Sequence, residues 1–235
     1  MRRALMFAIL MFAVWAGTAA PVGAQGPDTG RNQIVTGGMG RVEVPPTQAI
    51  VTVGVQLQRP TAAEASQDAA RVTEQILGRV TQAGIRRPDI RTSGVTLNPV
   101  FTTPRDAAPR ITAYQATNTL TVTINELRLV GPVIDEAVRG GANTISGPSF
   151  GLRDPAEARR EALTLAVREA RDKAEAIARA AGLQIKGIER IVEEGVDVQV
   201  RMLERAVPTP APGVPTPIEP GTVAVVARVT IVFTF

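Results

Sequence analysis

The stretch Ile50-Val51-Thr52-Val53-Gly54-Val55-Gln56-Leu57, followed three residues on by Thr61-Ala62-Ala63-Glu64, decides the fold. Val51, Val53, Val55 and Leu57 recur at period two, the pattern of a half-buried strand. Thr61 and Glu64 make a capping box, in which the Thr oxygen takes an orphan N–H and the Glu reaches back. The helix so opened carries Ala65, Ala69, Val72, Ile76, Val80 and Ala83 at spacings of three and four. Gly84 stands where a left-handed residue ends a helix. Upstream, Arg41-Val42-Glu43-Val44 alternates as well, and Pro45-Pro46 reads as an interruption within this first strand region.

Downstream, Ile90–Leu97 and Ile111–Ile124 read as two strands, the second with Tyr114, Ala116, Asn118, Leu120, Val122 and Ile124 on one face. The Pro-bearing link at Thr102–Pro109 makes them a hairpin with a long loop. Asn125 is placed to cap a helix through Arg139, with Val130, Ile134 and Ala137 inward and Gly140-Gly141 as its stop. Ala142–Leu152 is a further strand, with Gly147-Pro148 as a bulge or edge feature. Asp154-Pro155-Ala156-Glu157 opens the longest helix: Asp caps, Pro takes the first helical position, Glu closes the box. Its apolar seam reads Leu163, Val167, Ala170, Ala174, Ile177 and Ala181, with Glu169–Lys173 and Glu175–Arg179 as i,i+4 pairs and Gly182 as its end. Ile185–Met202 alternates again. Val223, Val225, Ala227, Val229, Ile231, Phe233 and Phe235 make an apolar closing strand with a polar opposite side.

From Arg41 to Leu152 the order is strand, helix, strand, strand, helix, strand, the split βαβ, ferredoxin-like order. The expected class is α+β, an antiparallel sheet with this βαββαβ core, to which a long helix and a C-terminal β-hairpin are added. The two strand-rich ends either share one sheet or make two lobes.

Ahead of the body, Arg2 and Arg3, the uncharged run Leu5–Ala16 and the small-residue exit Val22-Gly23-Ala24 have the plan of a secretory leader cut between Ala24 and Gln25. The apolar run is short of the ~20 residues that span a bilayer. The expected organisation is a signal peptide at 1–24, a flexible lead at 25–35 and one domain at 36–235. The domain divides into the βαββαβ part at 36–152 and the helix-plus-hairpin part at 153–235, with a Pro-rich loop at 207–221. The reading places the protein in the periplasm, with outer-membrane association as a further expectation and no membrane span in the mature chain.

Composition removes whole chemistries. The chain has no Cys and no His, so disulfides, thiolate nucleophiles, imidazole bases and ordinary zinc sites are absent. Loss of Arg2 and Arg3 with the leader reduces the formal charge from +4 to +2. Acids and bases alternate along the helices, and one Tyr and six Phe give little to stack bases on, so nucleic acid is not an expected partner.

Several segments together resemble the SIMPL-domain family of bacterial periplasmic and outer-membrane-associated proteins. They are Gly38–Val55, Asp89-Ile90-Arg91-Thr92 running to Leu97-Asn98-Pro99, and Tyr114–Val122. With them go Ile134-Asp135-Glu136-Ala137 followed by Gly141-Ala142-Asn143-Thr144-Ile145, and Ala170–Ala178 followed by Gly182. The family pattern has Pro-Asp where this chain has Pro45-Pro46, and Gly where it has Ala113. The resemblance implies an envelope location and a group that includes immunogenic surface antigens. Some of its members are linked to oxidative-stress tolerance, and some form large oligomers.

No catalytic, cofactor-binding or metal site is assigned from the sequence. Gly37-Gly38-Met39-Gly40 lacks the lysine and helix of a phosphate loop and reads as a turn or bulge. Asp135-Glu136, Glu193-Glu194 and Glu157 with Glu161 read as solvated carboxylates, not an acid/base pair in contrasting environments. Arg171-Asp172-Lys173 reads as surface charge pairing, Asn143 as a left-handed turn former, and Tyr114 as a core anchor. No Gly-x-Ser-x-Gly is present, and Lys173 and Lys186 are the only lysines for a Ser-Lys scheme. The expectation is a non-enzymatic envelope structural or interaction protein, a homo-oligomer with an envelope protein as a further partner. A small-molecule or metal-ion binding module is the alternative, and a carboxylate hydrolase comes last.

Overall fold

Proline has no N–H to give a ladder and bars the α region to the residue before it. At Pro45-Pro46 this makes a boundary between two sheets. A computed structural model of the chain describes residues 32–102, 108–201 and 218–235. Strand β1 (Gln33–Val44) ends before the prolines and β2 (Gln48–Arg59) begins after them. β1 starts inside the stretch read as a flexible lead. The leader, the centre of the Thr102–Pro109 link and most of the Pro-rich tract lie outside the described residues.

The other elements, in chain order, are α1 (Ala62–Gln82), β3 (Ile90–Thr102), β4 (Arg110–Ile124), α2 (Val130–Arg139), β5 (Thr144–Gly151), α3 (Ala156–Ala180), β6 (Gly187–Arg201) and β7 (Thr222–Thr234). They form two antiparallel sheets, β3-β4-β2-β5 and β1-β7-β6. The α+β, antiparallel class therefore holds. The run strand, helix, strand, strand, helix, strand spans β2 to β5 and begins at Gln48, not at Arg41. Arg41–Val44 instead belongs to β1, which pairs along its length with β7 from Gln33↔Thr234 to Val44↔Val223. The two strand-rich ends thus share a sheet, and no local pattern could announce a pairing so distant in sequence.

The four-stranded sheet packs α1 and α2 through branched side chains. Val51, Val53, Leu120, Val122, Ile76 and Val80 are all essentially buried there. The Thr61 cap is as read, with the Glu64 N–H donating to Thr61 Oγ1 at 3.2 Å. Gly84 closes the turn at φ +99°. Asn125 does not cap α2: its Oδ1 accepts from Gln48 Nε2 at 3.2 Å, and a single 3-10 turn at Leu127–Leu129 leads into the helix. In α3, Asp154 Oδ1 accepts the Ala156 N–H at 2.9 Å, and Pro155 sits at the cap, one position before the first helical residue.

The second core differs from the expected seam. α3 buries Ala158, Ala162, Ala166, Ala170, Ala174 and Ala178, an unbroken i,i+4 row, whereas Ile177 and Ala181 are exposed. Opposite them on β1 stand Gly38 and Gly40. A Cβ on Gly38 would lie 1.9 Å from the Ala166 carbonyl oxygen, and one on Gly40 would lie 1.8 Å from that of Ala162. The Gly37–Gly40 motif is therefore neither turn nor bulge. It lies in an unbroken strand whose alternate glycines admit a helix backbone.

β7 is central in its sheet, paired on both sides. Val225, Val229, Ile231 and Phe233 face α3. Ala224, Val226 and Val232, on the side expected to be polar, are buried too, although Arg228 and Thr230 on that side are not.

Candidate functional site

The carboxylates singled out in the sequence are not gathered in one place. Glu169 and Lys173 of α3 form an ion pair at 2.9 Å and reach to β1, an edge strand. The Glu169 carboxylate accepts the Met39 N–H, and Lys173 Nζ donates to the Gly37 carbonyl oxygen at 3.0 Å. One carboxylate and one ammonium thus occupy backbone groups that an edge strand would otherwise offer to another chain. Thr36 Oγ1 adds a buried bond, donating to the Ala170 carbonyl at 2.7 Å. The hydrogen bond from Met39, and then that from Lys173, hold the Glu169 carboxyl below the ordinary glutamate value. Glu175 pairs with Arg171 at 2.8 Å, so the expected partner Arg179 is replaced by the residue one turn earlier.

Asp68 is the second carboxylate with a lowered pKa, held down by hydrogen bonds from Arg59 and then Arg71. Its bond to Arg59 ties the end of β2 to the first half of α1.

Asp135 and Glu136 line a cleft of about 390 Å³ between α1 and α2, bordered by Arg79, Gln82 and Arg139. Glu136 lies between Arg79, at 3.7 Å, and Arg139. The two carboxylates and two guanidinium groups of the lining balance in formal charge. Glu194 accepts the Thr230 hydroxyl. Glu157 and Glu161 lie exposed on α3. Among the described residues no group of three Asp or Glu is placed to hold a metal ion.

Asn143 has a role that the sequence did not disclose. Its side-chain amide bonds the Gln56 backbone from both ends, Oδ1 accepting the N–H at 2.8 Å and Nδ2 donating to the carbonyl at 2.7 Å. The side chain thereby prolongs the β2–β5 ladder by one rung. Tyr114 is half-buried at the margin of the first core, as an anchor should be.

The outward side of the four-stranded sheet was not singled out by the sequence reading. β4 presents Gln115, Thr117, Thr119, Thr121 and Thr123 there, alternating with the core residues Ala116, Leu120, Val122 and Ile124. The only signal for it was what alternation leaves on the other face.

Comparison with known proteins gives a family match over most of the chain. Residues 34–233 match the family described as "SIMPL: Protein of unknown function (DUF541)". The chain is 33% identical over 165 residues to the 26 kDa periplasmic immunogenic protein of Brucella melitensis, covering 68% of this chain and 65% of that protein. The same figures hold for its counterpart in Brucella abortus. It is 26% identical over 169 residues to the uncharacterised protein YggE of Edwardsiella ictaluri, covering 72% of this chain and 70% of that one. The match thus spans just under two thirds of the Brucella relatives.

Proposed function

This chain belongs to the SIMPL family, and from that premise we propose that it is a non-enzymatic protein of the periplasm, a structural or interaction component that self-associates. One observation carries the reading: the carboxylates with lowered pKa are spent on holding elements together. Glu169 closes the edge of β1, and Asp68 ties β2 to α1. The basic leader with its apolar run and the periplasmic designation of the Brucella relatives support export. Within this proposal the body divides at Pro45-Pro46 and again after β5, with 1–24 removed on export.

Self-association is supported by apolar side chains left open on the three-stranded sheet. Val35 and Met39 on β1 are 60% and 52% exposed, and Ile188 and Ile191 on β6 are 50% and 52% exposed. A link to envelope stress tolerance follows from the resemblance alone and is part of the proposal. Light scattering coupled to size exclusion tests the assembly. A mass above the monomer is expected at micromolar concentration, and a monomer mass across a broad concentration range would refute it.

The charged cleft at Asp135 and Glu136 favours a second reading, a small-ligand module. A thermal-shift screen of divalent cations and small zwitterions addresses it. A shift abolished by Asp135→Asn would move the assignment to that site.

A further inference from the structure

We propose that the outward face of the sheet β3-β4-β2-β5 is a docking surface for an uncharged glycan strand bearing acetamido groups. The helices α1 and α2 pack the opposite face, and the core cluster holds the side chains that point that way. What remains outward is almost without charge. The four strands contain no Asp or Glu and only Arg59, Arg91 and Arg110, all within two residues of a strand end. Arg59 is committed to Asp68 at 2.6 Å. β6, by contrast, carries Glu189, Glu193, Glu194 and Asp197 in one strand. Solvated sheet faces and edges ordinarily use charge for solubility and to repel other chains. This one does not.

The chemistry is arranged in rows. Asn98, Gln115 and Gln58 stand in register across β3, β4 and β2, and Gln58 Nε2 donates to Gln115 Oε1 at 3.0 Å. The next row on the same face is Thr96, Thr117 and Gln56. Amides and hydroxyls each both donate and accept, as sugar hydroxyls and acetamido groups do.

At the centre, Gly54 lets the strands close up and leaves no side chain standing in the middle of these rows: a Cβ there would lie 2.5 Å from the Asn118 carbonyl oxygen, 2.8 Å from Thr144 Oγ1 and 3.0 Å from Thr119 Cγ2. At the far end, a register shift between Val100 and Phe101 brings Phe101, 58% exposed, opposite Ile111. An exposed ring beside hydroxyl rows offers an apolar face to a sugar ring. Other partners fit worse. A protein interface wants an apolar core, and a nucleic acid wants clustered positive charge. Thr is favoured in strands for its own sake, but strand propensity does not explain the absence of acids.

The test is retention of the purified protein on chitin, an uncharged polymer of N-acetylated amino sugar, with titration by a soluble chito-oligosaccharide. Retention is expected. Gln115→Glu and Thr117→Lys should each weaken it at least tenfold, while Gln75→Glu on the exposed side of α1 should not. Circular dichroism checks that the variants keep the fold, and amide shifts on titration should concentrate in β2 and β4. Failure to bind chitin, binding that all three variants leave intact, or shifts confined to the α1–α2 cleft would each overturn the proposal. Because the assembly is read by light scattering, failure of either proposal leaves the other measurable.

Discussion

The two sheets meet their helices by opposite means. β3-β4-β2-β5 holds α1 and α2 at arm's length through Val, Ile and Leu. β1-β7-β6 takes α3 down to its own backbone, with alanines on the helix and glycines on β1. Ala and Gly lose no side-chain entropy on burial, and close approach recovers dispersion contacts from the main chain itself. The consequence is an asymmetric tolerance. A core of large side chains suffers most when atoms are removed, and a backbone-to-backbone core suffers most when they are added.

The largest expected effect tests that asymmetry. Gly40→Val places carbon atoms where the Ala162 carbonyl stands, 1.8 Å from an ideal Cβ. The loss should exceed the ~1–3 kcal/mol usual for overpacking. Urea denaturation measures it, and a loss under ~1 kcal/mol would show that α3 can lift away at no real expense. Next, Val229→Asp sets a charge between β7 and α3 and should cost several kcal/mol, on the order of an unsatisfied buried polar group. Thr230→Asp, on the other side and beside Glu194, should cost clearly less. Equal damage would mean that both sides of β7 are closed along their whole length. Leu120→Ala in the first core should cost about 2–5 kcal/mol, and Ala166→Gly in the second should cost much less, since only a methyl is lost.

Smaller effects sharpen the picture. The Glu169 carboxyl is lowered in the folded state relative to its ordinary value. Its contribution is therefore present above the unfolded glutamate pKa and is lost as pH falls through the lower folded value. Glu169→Gln should flatten the acid limb of stability against pH, with a difference at neutrality within about 1 kcal/mol for an exposed pair. An unchanged acid limb would show that the carboxylate does not hold the edge. Smallest is a gain: Gly78 lies exposed in α1 with nothing within 4 Å of its absent Cβ, so Gly78→Ala should stabilise by roughly 0.5–1 kcal/mol. A thermal melt reads it.

These regions were not equally legible. Where large residues mark the buried side, as in β2, α1 and β4, period and capping reveal strand, helix and face together. In α3 the extent is clear from Asp154 and Gly182, but the buried side is not. Alanine is weakly hydrophobic, so Leu163, Val167 and Ile177 draw the seam about them, when the true contact is the alanine row from Ala158 to Ala178. Gly37–Gly40 misleads for the same reason, because glycine signals a turn unless its helical counterpart is known. The outward face of the first sheet was legible only as polar remainder, and the close packing at Gly54 depends on which groups β4 and β5 bring beside it.

The pairing of β1 with β7 also sets a timetable. In chain order β1 emerges ahead of β7, and Gln33 finds its partner only in Thr234. Until then β1 and β6 have no common neighbour, and the glycine strand beneath α3 has no sheet to belong to. The four-stranded half, whose partners lie between Gln48 and Gly151, is complete much earlier. Closing so long a loop is slow compared with local pairing. Folding should therefore proceed in two stages, with the apolar first strand left waiting longest, which is when a holding chaperone would have most to protect.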